Sequence, residues 1–105
     1  MKRSVLILAA AMIVPSSAAA ENIIDNFDNI MLELLAKRFA VSSEIGRIKR
    51  KNGESIVQPQ RQQAVQKEWM QKAGKLGLDP LFTGKLLQIL HDESVRYQQE
   101  NKNEK

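Results

Sequence analysis

LLAKRFAVSSEIGRIKRKNG, residues 34–53, holds the pattern from which the architecture can be read. It has the character of the second half of a long amphipathic helix. In steps of three and four, one face runs Ile23, Ile24, Phe27, Ile30, Met31, Leu34, Leu35, Arg38, Val41, Ser42, Ile45, Ile48 and Lys49. Apolar spacing of this kind marks the stripe that a helix turns toward a core. Two permanent cations, Arg38 and Lys49, interrupt it. They stand eleven residues apart, close to three turns at 3.6 residues per turn, so they share the face. Either their charged ends reach along the apolar surface into water, or they face an anion, because a buried charge needs a partner.

Outward from this stretch, everything after residue 20 reads as helix and short turns. The first helix is expected from about Asn22 to Lys51, ended by Asn52-Gly53, a good C-terminal cap. Residues Glu54 to Gln58 form a loop, and Pro59 suits the first position of a second helix. That helix is expected to carry Ala64, Val65, Trp69, Ala73 and Leu76 inward and to stop at Gly77. Asp79-Pro80, a capping residue followed by proline, starts a third helix that runs to about Gln99 and leaves a polar tail, NKNEK. There is no repeat and no alternating, strand-like segment, so the fold class is all-α with a three-helix subunit. A first helix of about 30 residues is about 45 Å long. A compact chain of about 85 residues is only about 30 Å across. The apolar stripe therefore stays exposed unless another chain covers it, and an interlocked helical homodimer is expected.

The first twenty residues have a different character. Lys2 and Arg3 precede an apolar run from Val5 to Val14, and Pro15-Ser16-Ser17 leads to Ala18-Ala19-Ala20. A basic start, a short apolar centre and small residues at the end are the layout of a secretory signal peptide. Ten apolar residues are too few to span a bilayer, which takes about 20. Cleavage after Ala20 gives a mature domain of residues 21–105, exported, periplasmic and free of the membrane. The chain has no cysteine and one histidine, His91. That excludes disulfides and thiolate chemistry and speaks against a histidine-based metal site or a serine–histidine triad. The net charge of +4 falls to +2 without Lys2 and Arg3, and a nucleic-acid binder would show a concentrated basic stripe. The one basic cluster, Lys49-Arg50-Lys51, complements the dipole at the end of its helix.

The third helix repeats the puzzle of the first. Leu87, Leu90, His91, Ser94 and Gln98 follow three- and four-residue steps, with Ser94 and Gln98 one turn apart. Arg61 lies in the first turn of the second helix. Three helices could thus direct Arg38, Lys49, Arg61, Ser94 and Gln98 into one cavity whose missing partner is an anionic ligand.

These residues carry a resemblance. LLAKRFAVSSEIGRIK, then Gln58-Pro59-Gln60-Arg61, then Gly77-Leu78-Asp79, then Ser94-Val95 through Gln98-Gln99 resemble the all-helical chorismate mutase family over residues 22–99. The most specific parts are L-L-x-x-R, the lysine eleven residues later, the arginine that opens the second helix, and S-x-x-x-Q. The resemblance implies an interlocked helical dimer that converts the dianion chorismate to prephenate by a Claisen rearrangement, without metal or cofactor. It implies that Arg38 clamps a carboxylate and that Lys49 reaches a carboxylate and the ether oxygen. Gln98 donates to that oxygen from the other side, Ser94 helps hold a carboxylate, and Arg61 adds positive potential. Two positions depart from the commonest pattern: Gln58 and Gln62 stand where an Asp and a Glu often bind the substrate hydroxyl. An arginine expected near the start of the first helix is also absent, its place taken by Glu21. An isochorismate pyruvate-lyase of the same fold, or an exported helical dimer without activity, are the alternatives.

Overall fold

The structure, a computed structural model, describes residues 16–100. Most of the segment with the layout of an export signal (residues 1–15) and the polar tail (residues 101–105) lie outside the described residues. Among the described residues there are three helices and no strand: α1 (Ser17–Asn52), α2 (Pro59–Leu76) and α3 (Pro80–Glu100). The all-α expectation agrees with this.

Local chemistry sets each boundary. α1 begins at Ser17 rather than near Asn22. The Ser16 hydroxyl accepts the Ala19 amide at 3.1 Å, an N-cap, and Ala18 to Ala20 are the best helix formers available. α1 ends where Gly53 takes a positive φ of 70°. There the Glu54 amide donates to the Lys49 carbonyl at 2.8 Å and the Gly53 amide to the Arg50 carbonyl at 3.2 Å. This pair of bonds is the Schellman closure, which needs a left-handed residue and therefore favours glycine. α2 ends in the same way at Gly77, φ 76°, with Leu78 donating to Ala73 at 2.9 Å. α3 opens with Pro80, and Asp79 Oδ2 accepts the Phe82 amide at 2.8 Å.

The chain divides into two compact units, residues 1–36 and residues 37–105. In the first, every residue from Glu21 to Leu34 is exposed. In the second, α2 and α3 pack along each other, and the buried apolar side chains are few: Ala73, Leu87 and Leu90. Phe39 and Tyr97 stack with ring centroids 5.0 Å apart and planes within 8°. Buried polar side chains, Ser42, Thr83, Ser94 and Gln98, outnumber the buried apolar ones. Thr83 is satisfied locally, its hydroxyl donating to the Asp79 carbonyl at 2.8 Å.

The stripe on α1 does not face a core within this chain, as the length of the helix leads one to expect. Ile23, Ile24, Phe27, Ile30, Met31, Leu34, Val41, Ile45 and Ile48 are exposed, and of the stripe only Ser42 is buried. On α2 the expected burial needs correction: Ala64 and Leu76 are exposed, Val65 and Trp69 are half-buried, and Ala73 alone is buried. The reason is geometric: so small a chain lacks the surface to cover every apolar face of three helices.

The start of α3 yields a stability prediction. Asp79→Ala removes the side-chain acceptor of the Phe82 amide and is expected to cost about 1 kcal/mol. Asp79→Asn, which keeps an acceptor, is expected to retain most of that stability. Chemical denaturation of the three proteins at one concentration checks the ranking, and equal midpoints would show that the cap contributes nothing.

Candidate active site

Each helix brings polar groups to one place for a local reason. On α1, the 3.6-residue repeat puts Arg38, Ser42 and Lys49 on one face. On α3, Ser94 and Gln98 are one turn apart, and both are buried. α2 contributes its opening. Gln58 is the N-cap in an extended conformation, φ −127°, but its side chain makes no capping bond, and Arg61 and Gln62 follow in the first turn. These groups surround a cavity of about 560 Å³ within residues 37–105. Arg38, Lys49, Gln58, Arg61, Gln62, Ser94 and Gln98, the seven residues singled out in the sequence, all line it. Val41, Ile45, Ile56, Val65 and Leu87 give it apolar walls. A few polar groups converging in an apolar cavity of several hundred Å³ is the form of a small-molecule site.

The polar groups are tied to one another. Arg38 Nη1 donates to Ser94 Oγ at 2.7 Å. Ser42 Oγ lies 3.1 Å from Ser94 Oγ and donates to the Arg38 carbonyl at 3.2 Å. The guanidinium is therefore held at its end by Ser94, while Ser94 is held from α1 by Ser42. Lys49 Nζ donates to the Ile56 carbonyl at 3.0 Å and to Gln98 Oε1 at 3.3 Å. An ammonium has three donors, so one remains for a ligand. Because Gln98 offers its oxygen to Lys49, Nε2 is the donor left on an amide that lines the cavity.

The electrostatic balance is one-sided. Arg38, Lys49 and Arg61 line the cavity, and no carboxylate among the described residues does. Ion pairs form elsewhere, on helix surfaces: Glu44 with Arg47, Glu68 with Lys72, and Arg96 with both Glu93 and Glu100. Hydrogen bonds from Arg47, Lys72 and Arg96 hold the carboxyls of Glu44, Glu68 and Glu93 below their ordinary range. Arg61 reaches this set only as the last contributor to the lowering of Glu68. Exposed pairs of this kind add little to stability, and none of these carboxylates neutralises the cavity. No group of three or more metal-ligating side chains occurs among the described residues.

Part of the arrangement has no counterpart in the sequence reading. Ser42 is visible there as a small polar residue on an apolar stripe, but its bond to Ser94 joins residues 52 positions apart and has no local signal. Gln88 also lines the cavity, as does His91, which the sequence already places on the face of Ser94 and Gln98. Arg50, expected to complement its own helix dipole, instead turns to α3 and donates from Nη1 to the Gln98 carbonyl. Gly46 carries no signal beyond being a glycine within a helix, yet it is buried where α1 meets Gln98.

Likeness to known proteins agrees with this geometry at the level of the family. No curated protein matches the chain in a direct comparison. The family model described as chorismate mutase type II matches residues 21–99, a span that includes the seven polar residues singled out in the sequence and most of each helix. The chain belongs to the chorismate mutase type II family.

Proposed function

We propose that this protein is a chorismate mutase, an isomerase that rearranges chorismate to prephenate. One observation carries the reading: three cations and two buried neutral hydrogen-bonding groups, supplied by three helices, surround a small-molecule cavity that no described carboxylate neutralises. A substrate with two carboxylates supplies the missing charge.

The reaction is intramolecular. The ether C–O bond breaks as a new C–C bond forms, and no atom is gained or lost. The protein has to hold the reactive conformer and stabilise the negative charge that grows on the ether oxygen. Arg38, fixed at one end by Ser94, presents its other N–H groups as a planar fork to a carboxylate. Lys49 points its third N–H at a carboxylate and the ether oxygen. Gln98 donates from Nε2 to the same oxygen, its amide oriented by Lys49. Ser94 contributes to carboxylate binding, Arg61 adds positive potential, and Gln58 and Gln62 are neutral partners for the substrate hydroxyl. Such donors are already oriented before charge develops, so the transition state is bound more tightly than the ground state.

The same reading includes a homodimer and export. The dimer rests on the exposed apolar side chains of α1, from Ile23 to Leu34, which a second copy of the helix would cover. Export to the periplasm rests on the basic, apolar and small-residue layout of residues 1–20.

Three outcomes are expected. With chorismate, Arg38→Ala and Lys49→Ala each lower kcat/KM by about 10²-fold or more, while helix content is retained. Activity near wild type in either variant would refute the assignment. Release of pyruvate from isochorismate, with chorismate untouched, would assign the cavity to the lyase reaction, and no turnover of either would leave a non-catalytic dimer.

Gln98 has no ionisable proton, so kcat is expected to change little between about pH 5 and pH 8. Gln98→Glu should move the optimum to acid, because only a protonated carboxyl donates to the ether oxygen and an ionised one repels it. Measuring both profiles in a His91→Gln background removes the one cavity histidine from the comparison. A flat profile for Gln98→Glu would show that residue 98 does not touch the breaking bond.

Protein recovered from the exported fraction is expected to begin at Glu21 and to have the mass of two chains. N-terminal sequencing and light scattering check both points. An intact Met1, or a stable monomer at micromolar concentration, would remove the corresponding part of the proposal.

A further inference from the structure

Gln98 is held from behind by two residues of α1 that do not line the cavity. Gly46 is the first. A Cβ built on it would lie 2.6 Å from Gln98 Cα and 2.8 Å from the Gln98 carbonyl carbon, far inside van der Waals contact. Only a residue without a side chain lets the two backbones meet there. Arg50 is the second, one turn further along α1, and its Nη1 donates to the Gln98 carbonyl. That carbonyl lies in the last described turn of α3, which runs to Glu100. A guanidinium there gives the oxygen a donor from α1, and a cation near the C-terminal end of a helix complements the negative end of its dipole. One turn earlier, Ser42 lies against Ser94 at 3.1 Å. Residues 42, 46 and 50 thus form a single i, i+4 row laid on residues 94 and 98.

We infer that Gly46 and Arg50 are positioning residues that set where the Gln98 amide stands against Lys49. The inference rests on the proposed mutase reaction for its catalytic consequence, and on the packing and hydrogen bonds alone for its structural one. Neither residue touches the cavity, so neither binds substrate. Their effect is transmitted through the Gln98 backbone. Gly46 sets how closely α3 approaches α1, and Arg50 sets how far the end of α3 turns. The Lys49 Nζ to Gln98 Oε1 distance of 3.3 Å is near the limit of a useful hydrogen bond. A small shift of the α3 backbone breaks it and frees the amide to rotate. Arg38 is held through Ser94, one turn earlier on α3 and bonded to Ser42, so loss of the Arg50 bond at residue 98 displaces the Gln98 amide more than the Arg38 clamp. The signature is a loss in kcat with KM nearly kept.

The test is a double-mutant cycle with two readouts on the full chain. Arg50→Ala is expected to lower kcat for chorismate by about 10- to 100-fold, the scale of a misplaced catalytic group, with KM changed less than about threefold. In a Gln98→Ala background the same change is expected to cost almost nothing, because a residue acting through Gln98 has nothing left to position. Arg50→Lys, which keeps a donor at the carbonyl, is expected to recover part of the loss. The second readout is the Gln98 side-chain amide pair in a proton–nitrogen spectrum, assigned by its disappearance in Gln98→Ala. It should shift in both Arg50→Ala and Gly46→Ala, and Arg50→Ala keeps the test decisive where Gly46→Ala does not fold. Additive effects of Arg50→Ala and Gln98→Ala on kcat, or an unmoved Gln98 amide in folded Arg50→Ala, would overturn the inference and leave the mutase reading standing. A wild-type protein inert toward chorismate would overturn the mutase reading, and the amide readout would then decide the positioning role by itself.

Discussion

The close approach of Gly46 to the Gln98 backbone is the constraint from which the cavity follows. Two helices usually come no closer than about 8–10 Å between axes because side chains keep them apart. At Gly46 there is no side chain, and a Cβ would collide with the main chain of residue 98. Once this point is fixed, the neighbouring pairs on the two helices are fixed with it: Ser42 meets Ser94, and Lys49 reaches Gln98. Arg50 closes the arrangement from the far side of Gly46. The polar groups around the cavity are thereby held by hydrogen bonds and backbone packing rather than by charge pairing with one another.

That distinction matters for the electrostatics. A cation buried with a carboxylate inside the chain would be stable, but its field would already be neutralised. Here the carboxylates of Glu44, Glu68 and Glu93 are engaged on helix surfaces, three to four residues from their partners. The cavity cations keep their positive potential. Such a site costs stability when empty, and the exposure of Arg61 together with the half-burial of Arg38 and Lys49 limits that cost by leaving the charged groups partly hydrated. The neutral members, Ser94 and Gln98, are the more deeply buried ones, which is where a hydrogen-bonding group costs less than a charge.

Much of the fold is legible in the sequence. Gly53, Gly77 and Asp79-Pro80 act through their own backbone preferences, so the turns lie where those residues stand. The early start of α1 is hidden because Ser16 and the Ala18 to Ala20 run have, in the sequence, the layout of an export signal, whereas in the structure they are a cap followed by helix formers. The direction of the apolar faces is a local pattern and can be read, but their burial depends on what lies opposite. Ile23, Phe27 and Ile30 have the spacing of a core stripe and are nevertheless exposed in this chain.

For the site the division follows the range of the interaction. Helical periodicity is local, so residue order alone dictates that Arg38 and Lys49 share one face of α1 and that Ser94 and Gln98 share one face of α3. It also marks Gln58, Arg61 and Gln62 as the opening of α2, and it carries the resemblance that the family match over residues 21–99 bears out. Which groups touch is a matter of how the helices pack. The bonds Arg38 to Ser94 and Lys49 to Gln98 span 56 and 49 residues, and no local preference encodes them. Nor can residue order separate Arg50 from its neighbours in Lys49-Arg50-Lys51. All three are cations in one helical turn with similar propensity. They differ only in direction about the helix axis: Lys49 and Arg50 meet α3, and Lys51 faces solvent. Rotation about that axis separates a residue that holds Gln98 from one that stays in water, and the rotation that counts is set by where α3 lies.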